Sequence, residues 1–271
     1  MSSGSINLQP HILNGVSYID AHIHLADAQY AGKQDAIILE SAQHNVSQML
    51  SNATDHQSTL ETIKLAGNSA GHVLAAVGVH PSATLRPTNL NLDKLEGIIE
   101  ENSELIAAIG EIGLDGKYTQ DAGIKAKQKE VFRYLLGLAE KKNLPVVVHS
   151  RQAVSEALDC LADFRVPTAL FHWYDGPVEN LPILKERGYM ISIGPALLYS
   201  RKISEIACAV DANLILTETD GPVNYRGLFG GELTKPWFVL EVVAKLAEVR
   251  KTSPVDMRSM ISSNFRHFLK P

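Results

Sequence analysis

Residues 17–25 read Ser17-Tyr-Ile-Asp-Ala-His-Ile-His-Leu25. The composition is that of a β-strand, and in a strand every second side chain points to the same face. His22 and His24 therefore lie side by side, with Asp20 one step below them. Neutral imidazoles are the commonest ligands of divalent metals, and two on one strand can grip one ion. The competing reading is a pair of buried histidines that merely alternate. The same stretch also bears on the fold. An open doubly wound sheet carries a glycine-rich phosphate turn after its first strand. This strand ends in His-Ile-His-Leu instead.

Strand-type and helical runs alternate along the rest of the chain. After the strand over 18–25, further strands are predicted over 47–53, 72–80, 105–112, 145–149, 168–172, 189–193 and 213–218. Helices are predicted over 33–45, 55–70, 92–101, 125–142, 153–164, 178–187, 202–210 and 236–249, with one more over 255–269. Asp55 stands where a helix N-cap belongs, and Gly188 where a helix stops. The strands are rich in Val, Ile, Leu and Ala, as in a parallel sheet buried on both faces. Right-handed βαβ crossovers repeated around a circle give a closed (β/α)8 TIM barrel of about 250 residues. The predicted class is thus α/β, a single barrel over 17–271 with an additional C-terminal helix. Residues 1–16 are expected to form a tail.

Barrel active sites lie at the C-terminal ends of the strands. There the chain places His22, His24, His80, Glu111, His149, His172, Glu218 and Asp220. Half of the 10 histidines fall at these ends, on four different strands, and chance rarely does that. His22 and His24 with carboxylates from strands 4 and 8 could hold one ion, and Glu111, His149 and His172 another. Glu111 is the natural bridge, because a carboxylate offers one oxygen to each ion. Two ions so placed polarise a phosphoryl or carbonyl oxygen and activate a water. Nitrogen and oxygen donors together suit zinc, manganese or iron better than a purely magnesium-type site. Zinc, manganese and magnesium are all carried as candidates.

Composition excludes several other classes. The chain has 271 residues, 45% of them apolar and 20% charged, as in an ordinary soluble protein. No apolar run approaches the ~18 residues of a membrane span. The start lacks the basic and apolar regions of a signal peptide, so a cytoplasmic protein is expected. A net charge of −5 argues against a broad basic face for nucleic acid, though not against a local positive groove. Cys160 and Cys208 are far apart and are expected to be buried, reduced thiols.

The chain resembles the TatD family of metal-dependent hydrolases, within the amidohydrolase superfamily, from Tyr18 to about Phe268. The resemblance rests on Asp20-Ala-His-Ile-His24, Val77-Gly-Val-His-Pro81, Ile109-Gly-Glu-Ile-Gly-Leu-Asp115, Pro145-Val-Val-Val-His-Ser150, Phe171-His172 and Thr217-Glu-Thr-Asp-Gly-Pro222. The first motif is shared by many amidohydrolases; the ordered set is specific. The resemblance implies that His22, His24, Glu111 and Asp220 bind a first metal, and Glu111, His149 and His172 a second. It implies phosphodiester hydrolysis, often of DNA ends, with Asp220 orienting the attacking water and accepting its proton. His80 lacks a ligand's place in the pattern. It is expected either to contact the scissile phosphate or leaving oxygen, or to cap the barrel mouth.

Three stretches depart from the family: His172-Trp-Tyr-Asp-Gly176, Leu233-Thr-Lys-Pro236, and Gly116-Lys117 where a tyrosine commonly follows the Gly-Leu-Asp run. All lie in loops expected to meet substrate. Candidate phosphate contacts are Lys117, Arg151, Arg226 and Lys235, with Arg151 favoured because it lies two residues past His149. Trp173, Tyr174 and Tyr225 are candidates to stack on a base. The expected partner is DNA or a small phosphodiester, with no membrane and with the oligomeric state open. A hydrolase of a small ester, lactone or amide on the same metals is the first alternative. Related enzymes often use a carboxylated lysine as the bridge, whereas strand 4 here supplies Glu111. A non-catalytic protein that keeps metals for stability is the second alternative.

Overall fold

The computed structural model describes residues 16–85 and 90–270. The expected tail, 1–16, lies almost wholly outside them. Eight parallel strands follow one another around a single sheet in chain order. They are β1 (Tyr18–Ile23), β2 (Val46–Asn52), β3 (Val73–Val77), β4 (Ile106–Gly113), β5 (Val146–His149), β6 (Ala169–Phe171), β7 (Met190–Ile193) and β8 (Ile215–Thr217). The helices between them are α1 (Gln34–Gln43), α2 (His56–Asn68), α3 (Leu92–Glu101), α4 (Ala122–Lys142), α5 (Val154–Leu161), α6 (Leu181–Glu186), α7 (Arg201–Ala209) and α8 (Val239–Arg250). The chain ends in an added helix, α9 (Pro254–Leu269). The barrel expected from the sequence is the fold.

Local signals set these boundaries. Asp55 and Ser58 cap α2 reciprocally, and Asn91 and Asp121 accept backbone N–H groups at the starts of α3 and α4. Asn143 ends α4 in a left-handed conformation, which lets the chain turn into β5. The central strands bury Ile109, Ile112, Val146, Val147 and Val148. Phe132, Leu135, Leu136 and Ala139 of α4 pack against them in one core. Cys160 of α5 is buried as expected, but Cys208 of α7 is exposed. The apolar stripe of α7 runs through Ile203, Ile206 and Ala207, and one residue further rotates off it.

The seam between β8 and β1 closes the barrel. The Thr217 hydroxyl donates to Ile19 O at 2.8 Å, and Thr219 N–H donates to the Asp20 carboxylate at 2.9 Å. Above them, Asp220 N–H donates to His22 O and His24 N–H to Gly221 O, each at 2.8 Å. The buried Asp20 side chain thus stands in for part of a strand ladder. α9 packs over β1 and β8, and the Asn264 amide donates to Ala212 O and Ile215 O at 2.9 Å. The open-sheet alternative has no such seam.

β4 and β5 approach so closely that only glycine fits between them. At Gly113, with φ +144°, an added Cβ would stand 2.0 Å from His149 O. Gly113→Ala is expected to destabilise the fold by about 2–4 kcal/mol, read from denaturant unfolding. It acts where Glu111 and His149 are positioned, so their placement at the rim should be disturbed with it.

Candidate metal centre

At the C-terminal rim, side chains of β1, β4, β5 and of the loops after β1, β3, β6 and β8 converge. His22 and Glu111 point from within β1 and β4, and His149 ends β5. His24, His172 and Asp220 lie just past β1, β6 and β8, and His80 just past β3. All are buried except His24 and His149, which are partly open to a cavity of about 440 Å³.

The polar atoms fall into two sets that share Glu111. In the first, His22 Nε2 and His24 Nε2 are 3.2 Å apart. Asp220 Oδ1 lies 3.4 Å from His22 Nε2 and 3.2 Å from His24 Nε2. Glu111 Oε2 lies 3.7 Å from His22 Nε2 and 3.4 Å from His24 Nε2. In the second, Glu111 Oε1 is 2.8 Å from His149 Nδ1 and 2.7 Å from His172 Nε2, and these nitrogens are 3.2 Å apart. Bonds of ~2.1 Å to one ion, at angles between square and tetrahedral, put neighbouring donors ~3.0–3.4 Å apart. The first set keeps that spacing except for His22 to Glu111, at 3.7 Å, and the second is drawn in by imidazole–carboxylate hydrogen bonds. The residues fit a divalent-metal centre.

The outward faces of the imidazoles orient them. His24 Nδ1 meets Asn52 O at 2.8 Å, and His149 Nε2 meets Asp115 Oδ2 at 2.7 Å. Each contact takes an N–H and leaves the other nitrogen's lone pair facing the centre. His80 is arranged differently. Its Nδ1 accepts Ser82 N–H at 3.2 Å, which leaves the hydrogen on Nε2. Nε2 points into the second set, 3.3 Å from His149 Nδ1 and 3.5 Å from Glu111 Oε1. This geometry turns the His80 Nε2 hydrogen toward the cavity, and His80 also stands with Glu111 and His149 in a group close enough to hold an ion.

Electrostatics follow from burial and from the crowd of imidazoles. Burial opposes charge on Glu111, but His172, His80 and His149 outweigh it and hold the carboxyl well below its ordinary range. Burial opposes charge on Asp220 too, and hydrogen bonds from His22 and His24 pull it down. His24 is lifted to about 9, because Asp220 and Glu111 overcome its burial. Burial, helped by repulsion from His172, drops His22 to about 4. Burial drops His80 to about 3. Two acids and several imidazoles therefore share protons, which divalent cations displace on binding.

The remaining sequence expectations divide. Arg151 and Trp173 line the cavity. Lys117, Arg226 and Lys235 do not line it, and Lys235 lies 4.9 Å over the Trp237 ring. Tyr225 is corrected: it is only 5% exposed, and its hydroxyl donates to Thr219 O at 2.6 Å. It supports Trp173 from behind, ring centroids 5.6 Å apart, and has no face for a substrate. Tyr174 is buried likewise, its hydroxyl donating to Pro177 O at 2.7 Å. Two residues given no role in the sequence reading stand at the site. Asp115 supports His149, and Tyr118 lines the cavity beside Arg151. The acid of the Gly113-Leu-Asp-Gly116 run was the available signal for Asp115; a loop reading hides it.

A family model described as "TatD related DNase" matches residues 19–270. The chain belongs to the TatD family. It is 29% identical over 258 residues to an uncharacterised metal-dependent hydrolase of Methanocaldococcus jannaschii, covering 95% of this chain and 99% of that one. It is 28% identical over 259 residues to the human deoxyribonuclease TATDN3, covering 92% and 93% of the two chains. Among solved structures, the TatD homologue YjjV of Escherichia coli superposes with a TM-score of 0.84 at 25% identity, covering 93% and 97%. This TatD chain is therefore a metal-dependent hydrolase of the barrel type. No helix among its described residues is long and apolar enough to cross a membrane.

Proposed function

We propose that this TatD protein is a metal-dependent phosphodiesterase that hydrolyses DNA near an end. The observation that carries the reading is one cavity lined by His24, Glu111, His149, His172 and Asp220, members of both donor sets, with a cation, Arg151, beside them. His22, His24, Glu111 and Asp220 would hold one divalent ion, and Glu111, His149 and His172 a second. Ions held there acidify water and draw charge from a phosphoryl oxygen.

The chain's own groups supply the rest. Asp220 lines the cavity and accepts the proton of the attacking water as its oxygen joins phosphorus. The bond from phosphorus to the leaving oxygen breaks, and His80 Nε2–H donates toward that oxygen. Arg151 holds a non-bridging oxygen or a neighbouring phosphate. Trp173 offers its ring to an unpaired base at the mouth. The cavity is of a size for a nucleotide rather than a duplex. Among the described residues that line it, Arg151 is the one cation, which accords with an acidic chain that binds only the end of a strand. The human relative's name, a deoxyribonuclease, supports the same class.

The test is a panel of a chromogenic phosphodiester, a phosphomonoester and a lactone, with manganese or zinc added and with chelator. Turnover of the diester alone, lost with chelator and restored by metal, is expected. Turnover of the lactone alone would move the chain to the ester or amide class. Bound metal without turnover of any of them would make it a binding protein.

A further inference from the structure

Asp115 is buried, with 1% exposure, in the loop after β4. Its two oxygens have separate partners. Oδ1 accepts Lys117 N–H at 2.7 Å and Tyr118 N–H at 2.8 Å, which fixes the carboxylate to its own loop. Oδ2 meets His149 Nε2 at 2.7 Å. The same Oδ2 accepts Arg151 Nε–H at 2.8 Å and lies 2.8 Å from Arg151 Nη2. One oxygen thus orients both an imidazole of the centre and the guanidinium beside it.

The guanidinium is held on a second side. Its carbon lies 4.5 Å over the Tyr118 ring, a cation–π contact. Tyr118 also lies parallel to His149, 6.5 Å between centroids at 6°, and edge-on to His80 at 5.8 Å. Arg151 keeps three N–H groups beyond those turned to Asp115, and its side chain is 36% exposed at the cavity wall. The loop that carries Asp115 is clasped to the loop that carries Arg151. Leu114 N–H donates to His149 O and Gly116 N–H to Arg151 O, each at 2.9 Å. A Cβ at Gly116 would stand 2.6 Å from Gln152 O, so the clasp needs glycine. A solvated surface arginine would have none of these restraints.

We infer that Asp115 is a positioning residue that builds the metal centre and an anion clamp, Arg151 on Tyr118, as one unit. The ligand class is a phosphate oxyanion lying next to the second donor set. Asp115 acts through His149 and Arg151 and touches no reacting atom. The inference rests on the proposed reading for the identity of the anion, and on the geometry for the coupling. A carboxylate that supports a liganding imidazole typically changes metal affinity 10–100-fold when removed. Loss of a charged hydrogen bond to an anion weakens its binding about 10- to 100-fold.

The test compares Asp115→Asn, Arg151→Gln and the double variant of the full chain. Metal affinity is measured by competition with a chromogenic chelator. Affinity of the metal-loaded protein for inorganic phosphate is measured by calorimetry. Arg151→Gln should weaken phosphate about tenfold or more and leave metal affinity at the parental value. Asp115→Asn should weaken both. In the double variant, phosphate affinity should match that of Asp115→Asn alone, because the clamp is already lost. Arg151→Lys should recover only part of the phosphate affinity, since its point charge cannot reproduce the fork. Parental phosphate affinity in folded Asp115→Asn, or strict additivity in the double variant, would overturn the coupling. If Asp115→Asn does not fold, Tyr118→Ala replaces it. Weakened phosphate with parental metal affinity then supports the clamp, and unchanged phosphate overturns it. Coupled binding constants in a chain that turns over no phosphodiester support the unit and overturn only the reaction.

Discussion

Replacing Glu111 with alanine is expected to lower phosphodiester turnover by about 10³-fold or more, from the several kcal/mol that a metal centre contributes to such a transition state. Glu111 is only 2% exposed, and its oxygens face different partners. Oε2 stands among His22 and His24, and Oε1 among His80, His149 and His172. Alanine removes the only group common to both sets. The imidazoles and the one remaining carboxylate of the two sets, Asp220, cannot balance two divalent charges in a buried site, so bound metal should fall from two ions to one or none. Glu111→Gln is the sharper variant. It keeps the shape but replaces one acceptor oxygen with an amide that donates. It should lose one ion and most of the turnover while the fold stays intact by circular dichroism. Metal content and turnover are measured on the same preparation. Parental turnover in either folded variant would remove Glu111 from the centre.

The barrel and the residues that converge at its rim were legible because both are written in short-range patterns. Alternating polar positions survive any error of one or two residues in a strand boundary, so His22 and His24 reach the rim regardless, and His149 reaches it because it closes a run of three valines. The strand over 72–80 shows this: regular pairing ends at Val77, yet His80 still arrives at the cavity. What stayed hidden is set by how loops fold back. Tyr225 looked available because it follows the last strand, but its hydroxyl found Thr219 O and its ring went under Trp173. Tyr118 looked unremarkable in a polar loop, yet the Asp115 turn carries it onto Arg151. In each case one local hydrogen bond between a side chain and the backbone decides which face of an aromatic ring is free. No periodicity records that choice.

Asp220→Asn separates a ligand from a base, and it should leave the fold intact for a backbone reason. Asp220 has φ +47°, in the left-handed region that asparagine tolerates as well as aspartate and that alanine resists. An amide oxygen can still face His22 and His24, where Oδ1 now stands at 3.4 and 3.2 Å. The amide has no basic oxygen to take a proton from water. If Asp220 accepts that proton, turnover should fall about 10²–10⁴-fold while most of the bound metal is retained. If it serves only to hold the ion, metal content and turnover should fall together, and saturating metal should restore activity. The comparison needs metal titration at each activity measurement. Asp220→Ala is the wrong control, because it adds strain at a left-handed position to the loss of the carboxylate. Full recovery of Asp220→Asn at high metal would assign the proton to another group. Of the described side chains lining the cavity, Asp175 is then the remaining carboxylate not committed to a donor set.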